Sequence, residues 1–200
     1  MKIPYSINPG RHRALELLLS RHSPWPLAGP VPSDEELAVV FAAALRAADH
    51  GRLQPWRFAL VRENALAALG DAYAKVALTM RQDVDPERAR TKALASPMVI
   101  AVAARLDVQS KIPEHEQLLS AGAATMNILN ALHMMGYGGF WKSPPGGPEG
   151  PLRALMGFGP TERIVAMIHV GTAKEESRSP MKTDPSGFVS EWQGAEAHVL

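Results

Sequence analysis

The run PMVIAVAA (97–104) constrains this chain more than any other stretch. It is apolar and rich in β-formers, without the alternation of a half-solvated strand, so it reads as a central strand buried on both faces. A strand of that kind belongs in a sheet covered on both sides. ERIVAMIHVG (162–171) has the same character and supplies a second buried strand. Helices to cover both faces are plentiful. PSDEELAVVFAAALRAA (32–48) opens with a capping box, Ser33 with Glu36, and carries an apolar stripe of Leu37, Val40, Phe41, Ala44, Leu45 and Ala48. VDPERARTKALAS (84–96) offers Asp85 as N-cap and Pro86 at the first helical position.

The rest of the chain fills in around these elements. Short helices are predicted over 11–21 and 150–157, and Asn64 caps a helix running to about Thr79. RFALVR (57–62) and YGGFW (137–141) read as strands, and a long helix covers 114–135 until Gly136 stops it. Helices come first and then alternate with strands, which predicts an α+β fold of three layers. At 200 residues, 46% of them hydrophobic, a single domain over 1–173 is expected. After Gly171 apolar residues thin out, and only FVSEW (188–192) offers an edge strand. The segment 174–200 is expected to be an arm, either without order of its own or lying on a second subunit.

Composition removes several functions. A net charge of +1 provides no field to draw the chain onto nucleic acid or an acidic membrane. The absence of cysteine excludes a disulfide framework, a thiolate metal site and a Cys nucleophile, and it fits a cytoplasmic protein. No apolar signal segment follows MKIPYSINPG, and LLSAGAATMNILNALHMM (118–135) carries five polar side chains, as a buried helix does and a membrane span does not. No two of the seven His have ligand spacing, so no metal is expected; His115 reads as solvated, His133 and His169 as satisfied core residues. GxSxG, GxGxxG and GKS or GKT are all missing. No catalytic nucleophile or base is expected.

Three polar clusters beside apolar structure remain. SRHS (20–23) places Arg21, His22 and Ser23 in sequence, a charged fork and a short hydroxyl that suit a phosphate as well as they suit the carbonyls of a helix end. RAADHGRLQPW (46–56) contains Arg46, His50, Arg52 and Gln54, with Arg46 and His50 on one helix face if the helix extends that far. GGFWKS (138–143) puts Trp141, Lys142 and Ser143 at a strand exit, after glycines that let a ligand or backbone approach.

Taken in order, these pieces resemble the FMN-dependent nitroreductase-like family. SRHS after a first helix, a capped helix, QPWRF leading into a strand, SAGAATMNILNALHMMGYGGFWKS and IVAMIHVGTA follow that family's pattern over about residues 11–173. The chain is especially similar to its compact YdjA-type branch, which shares the DH before QPW and the Trp-basic-Ser triplet. The resemblance implies a three-layer α/β/α fold with a central, mostly antiparallel sheet. It implies an intertwined homodimer with two FMN at the interface and the C-terminal arm embracing the partner. It implies a ping-pong NAD(P)H oxidoreductase in which the flavin carries the chemistry, NADH or NADPH donates electrons, and a small nitroaromatic, quinone or similar electron-poor molecule accepts them. Enone or azoline oxidoreduction, or flavin storage without turnover, are the alternatives it leaves open. Carried over residue by residue, Arg21, His22 and Ser23 match the motif for the FMN phosphate and ribityl chain. Arg46 and His50 match basic positions that reach the flavin from the partner chain, Gln54 matches the Gln of QPW, and Trp141, Lys142 and Ser143 match the flavin-contacting triplet. The chain departs from larger members at Trp25, where they carry a basic residue, and at Asp49–Arg52, where they carry Ser-Ser-x-Asn.

Overall fold

In the computed structural model, which describes residues 9–80, 85–175, 183–192 and 194, the elements run in order α1 (Pro9–Ser20), β1 (Leu27–Ala28), α2 (Asp34–Ala44), β2 (Trp56–Arg62), α3 (Asn64–Met80), α4 (Pro86–Ala93), β3 (Met98–Arg105), α5 (Glu114–Met134), β4 (Gly138–Lys142), α6 (Pro151–Leu155) and β5 (Glu162–Ala173). β3 lies between β2 and β5, β5 also pairs with β4, and β1 extends the far end of β5. Every pairing is antiparallel.

The apolar run predicted as a doubly buried strand is β3, and its alternation builds two cores. Met98, Ile100 and Val102 face α2 and α5, where Leu37, Val40, Ala124, Ile128 and Leu132 meet them. Val99, Ala101 and Ala103 face α3, α4 and α6, against Leu69, Tyr73, Val76, Ala93 and Leu152. The result is the three-layer α+β architecture with an antiparallel sheet at its centre. Among the described residues no helix is long and apolar enough to cross a membrane.

Local chemistry sets the helix ends. Ser33 Oγ accepts from Glu36 N at 3.2 Å while Ser33 N donates to Glu36 Oε2 at 2.8 Å, which completes the capping box. Asp85 Oδ1 accepts from Glu87 N, with Pro86 opening α4. α5 closes in a Schellman motif: Gly136, at φ +88°, donates to His133 O, and Tyr137 N donates to Leu132 O.

Three expectations need correction. α2 ends at Ala44, because Arg46 N and Ala47 N turn to Ala43 O and Ala44 O and tighten the last turn. Leu45 is therefore exposed and Ala48 leaves the stripe. Asn64 is the first helical residue of α3 and not its cap, following Glu63 at φ +53°. FVSEW forms no strand: Phe188, Val189 and Trp192 stand 80%, 72% and 86% exposed. β1 was not anticipated, since two residues among prolines carry no strand signal and their partners, Thr172 and Ala173, lie at the other end of the domain.

Candidate functional site

α5 organises the predicted residues. α2 and the loop after it run antiparallel to α5: Tyr137 Oη donates to Glu36, Asn127 Nδ2 donates to Ala43 O at 3.1 Å, and His50 Nδ1 lies 2.6 Å from Glu116 Oε2. Glu116 and His133 are separated by about 25 Å along the helix, at ~1.5 Å rise per residue. One cluster sits at each end.

At the C-terminal end the chain leaving α1 crosses α5 and then settles on β4. His22 Nδ1 donates to Ser20 O at 3.0 Å, and its ring meets His133 edge-on at 5.6 Å. Ser20 Oγ donates to Leu17 O and accepts from His133 Nε2 at 2.9 Å. Burial, followed by His22 and Arg21, holds His133 below the usual imidazole range. Arg21 is half-buried, Ser23 is exposed, and His22 Nε2 is buried without a partner among the described residues. Trp25 then packs edge-on against Phe140 of β4 at 5.4 Å, and Lys142 Nζ lies 3.8 Å from its ring centroid. The chain that carries the first cluster thus reaches Lys142 of the third through Trp25. No carboxylate among the described residues pairs with Arg21 or Lys142.

The close approach depends on Gly138. A Cβ there would stand 2.6 Å from both Leu27 Cδ2 and Pro24 Cγ. Gly138→Ala is expected to destabilise by about 1–3 kcal/mol through overpacking, a drop of roughly 3–10 °C in Tm for a domain of this size. A melting temperature equal to wild type would show that the 24–27 segment does not lie against β4 as described.

Strand alternation divides the triplet. Trp141, opposite Ile168, packs into the core under α5, whereas Lys142, opposite Met167, emerges on the other face with Phe140 and His169. Ser143, past the strand, is exposed. His169 is fully buried: Ser96 Oγ donates to Met98 O and accepts from His169 Nδ1 at 2.7 Å, which leaves Nε2 unpartnered. Half of the satisfied-core expectation for His169 therefore fails. Burial, with Lys142 nearby, pushes its pKa down to about 4.

The second cluster stands apart at the N-terminal end of α5. His50 begins a short 3₁₀ turn, and Arg46 lies beyond the end of α2, so the two do not share a helix face. Asp49 Oδ2 accepts from Gln54 N at 2.8 Å and ties the loop off. Arg52 at the end of the turn and Gln54 beyond it, with φ of +55° and +49°, adopt left-handed conformations that cost non-glycine residues energy. Pro55 is buried and Trp56 packs on the core, so the strained loop hangs from a rigid base. The side chains of Arg46, Arg52 and Gln54 are exposed.

Known proteins share this fold. The family model described as "Nitroreductase family" matches residues 18–172. The chain belongs to the nitroreductase family. The nitroreductase family is one of oxidoreductases, and this member is 31% identical over 179 residues to an Escherichia coli K12 protein and 34% identical over 182 residues to one from Haemophilus influenzae. Both alignments span 88% of this chain and 98% of the relative; the names are "Putative NAD(P)H nitroreductase YdjA" and "Putative NAD(P)H nitroreductase". Among solved structures, a nitroreductase-like protein from Bacillus cereus superposes with a TM-score of 0.77 at 19% identity, covering 90% of this chain and 96% of that one. A nitroreductase with bound FMN from Desulfitobacterium hafniense gives 0.66 at 18% identity, covering 90% and 98%. These two share the fold.

Sequence reasoning misses five side chains in or beside this nitroreductase surface. Trp25 was read as a departure from the family rather than as the platform for Lys142. Ser20 and His133 were not linked, because serine precedes and histidine follows more than a hundred intervening residues. Tyr73 and Lys92, which share a cavity with Lys142, gave no signal at all.

Proposed function

We propose that this chain is an FMN-dependent NAD(P)H oxidoreductase that reduces small electron-poor molecules such as nitroaromatics or quinones. The observation that carries the reading is the surface formed where the chain leaving α1 passes His133 of α5 and lays Pro24 and Trp25 on β4. It collects a guanidinium, an ammonium and a hydroxyl, with no carboxylate among the described residues to neutralise them, beside a buried imidazole nitrogen, His22 Nε2, left to accept because Nδ1 holds the proton. Such a donor set fits a phosphate. Arg21, His22 and Ser23 would hold the FMN phosphate and ribityl chain, and Lys142 would set positive charge beside the ring system. When bound, the flavin supplies two-electron transfer between a reduced nicotinamide and the acceptor. Trp25 holds the Lys142 ammonium on its π face and so fixes where that charge stands.

Arg46, His50 and Gln54 would complete the site from a second copy of the chain. Support comes from the length of α5, which keeps the two clusters apart within one chain. It also comes from a stripe of exposed Leu119 and Met126 with Gly122 and Ala123 between them, at the spacing of one helix face. The exposed Phe188, Val189 and Trp192 supply the arm, over 174–200, with apolar groups for the partner's surface; part of that arm lies outside the described residues. The domain itself would span 1–173, in the cytoplasm.

Mixed dimers test the two-chain site. Arg21→Ala and His50→Ala chains with different tags are co-expressed, and the dimer bearing both tags is purified. A shared site leaves one of its two pockets intact, so about half the wild-type FMN is expected in the mixed dimer. A site built within one chain leaves neither intact, and flavin no greater than in the single-variant homodimers would exclude the exchange.

A further inference from the structure

On the sheet face away from α5, the side chain of Lys142 reaches a second feature. A cavity of about 380 Å³ opens between α3, α4 and the loop after β4. Val76 and Met80 give it apolar walls, Tyr73 adds a phenol ring, and Lys92, Lys142 and Ser143 supply the polar groups. Among the described residues no carboxylate lines it and neither lysine has an acidic partner. The Lys142 ammonium rests on aromatic faces, 3.8 Å from the Trp25 centroid and 5.6 Å from that of Phe140. Burial, and then Lys92, hold Lys142 below the ordinary lysine range. Two like charges converging on an apolar hollow repel one another and are stabilised together by an anion placed between them.

We propose that this cavity binds the electron acceptor, and that the acceptor class it selects is a small aromatic carboxylate. The volume lies in the range of small-molecule pockets. Tyr73, Val76 and Met80 contact an aromatic body, while Lys92 and Lys142 hold the carboxylate. Because Lys142 and Ser143 border both the cavity and the surface proposed for FMN, a molecule held here stands beside the flavin. The inference rests on the reading of that surface as the flavin site. For a nitro acid the balance closes with one NAD(P)H and one proton per nitro group reduced to nitroso, with release of one water and NAD(P)⁺.

The test compares 4-nitrobenzoate with 4-nitrobenzamide, a neutral analogue of the same shape, on the FMN-loaded protein. Equilibrium binding without nicotinamide gives Kd for each, and steady-state turnover gives kcat/KM. The expected result is a preference for the carboxylate of about tenfold or more in both quantities. Lys92→Met removes that preference while FMN content stays at the wild-type level, and Lys92→Arg keeps it. Lys92 is exposed on α4, so neither variant threatens the core. Equal handling of the two compounds by wild type overturns the proposal. Loss of FMN from Lys92→Met overturns it as well, by giving the cavity to the cofactor. A wild-type chain that takes up no FMN brings down the underlying reading, and the acceptor role with it, whatever the acid's affinity.

Discussion

Arg21→Ala is expected to leave purification almost free of flavin while remaining folded. Arg21 is half-buried, pairs with no carboxylate among the described residues and lies outside both cores, so its removal breaks no ion pair there and opens no cavity. The bonds at stake are those a phosphate would make. Hydrogen bonds to a charged partner contribute about 1.5–3 kcal/mol each, and a guanidinium can offer two in parallel. FMN affinity should fall on the order of 100-fold to 1000-fold, at about 1.4 kcal/mol per factor of ten. The melting temperature of the apoprotein should match that of wild-type apoprotein, as for other substitutions away from the core. Arg21→Lys keeps the charge but loses the fork, and it should fall between the two. Flavin titration by fluorescence quenching measures all three. Unchanged affinity in Arg21→Ala would remove the phosphate from the 21–23 segment.

The second large effect is on stability in acid, and it belongs to His169. Its folded pKa is pushed down to about 4 by burial and then by Lys142, below the ordinary 6.5 of the unfolded chain. The unfolded state therefore takes up a proton that the folded state refuses. The contribution of a neutral His169 is intact above pH 6.5 and is lost as pH falls from there towards 4. At ~1.4 kcal/mol per unit the full span is roughly 3 kcal/mol, of which about 2 kcal/mol is lost by pH 5. His133, also held below its usual range, acts in the same direction. Urea titrations at pH 7 and pH 5 should show wild type losing more stability on acidification than His169→Asn does. Asp34 and Glu36 have lowered pKa values, and their protonation at lower pH affects both proteins alike. Equal losses in the two would mean that His169 carries no such linkage.

Most local signals are legible where a few neighbouring residues decide the outcome, with the start of α3 at Asn64 an exception. The Ser33–Glu36 box, Asp85 with Pro86, Gly136 after α5 and the unbroken apolar run of β3 each declare themselves within one or two turns of chain. Features set by distant partners were not legible. β1 exists because Thr172 and Ala173 offer it an edge, and α2 ends early because the loop it feeds is tied down by Asp49 and Glu116. At the site, sequence marked Arg21, His22 and Lys142 but not that Trp25 joins them. It grouped Trp141 with Lys142, although strand alternation sends the two to opposite faces. The apolar setting of His169 reads as that of a satisfied core residue, whereas three-dimensional packing leaves Nε2 without a partner among the described residues. Arg46, His50 and Gln54 were marked as one group with the rest, yet within a single chain they lie at the far end of α5.

The most direct test of the account is the visible spectrum of purified protein, reconstituted with FMN and gel-filtered, before and after anaerobic NADPH or NADH. The account predicts flavin bands that co-elute with the protein and bleach when the nicotinamide is added. Bands that persist would mark a protein that holds flavin without turning it over, and the absence of bands would contradict the assignment of a cofactor to the surface between residues 21–25 and β4.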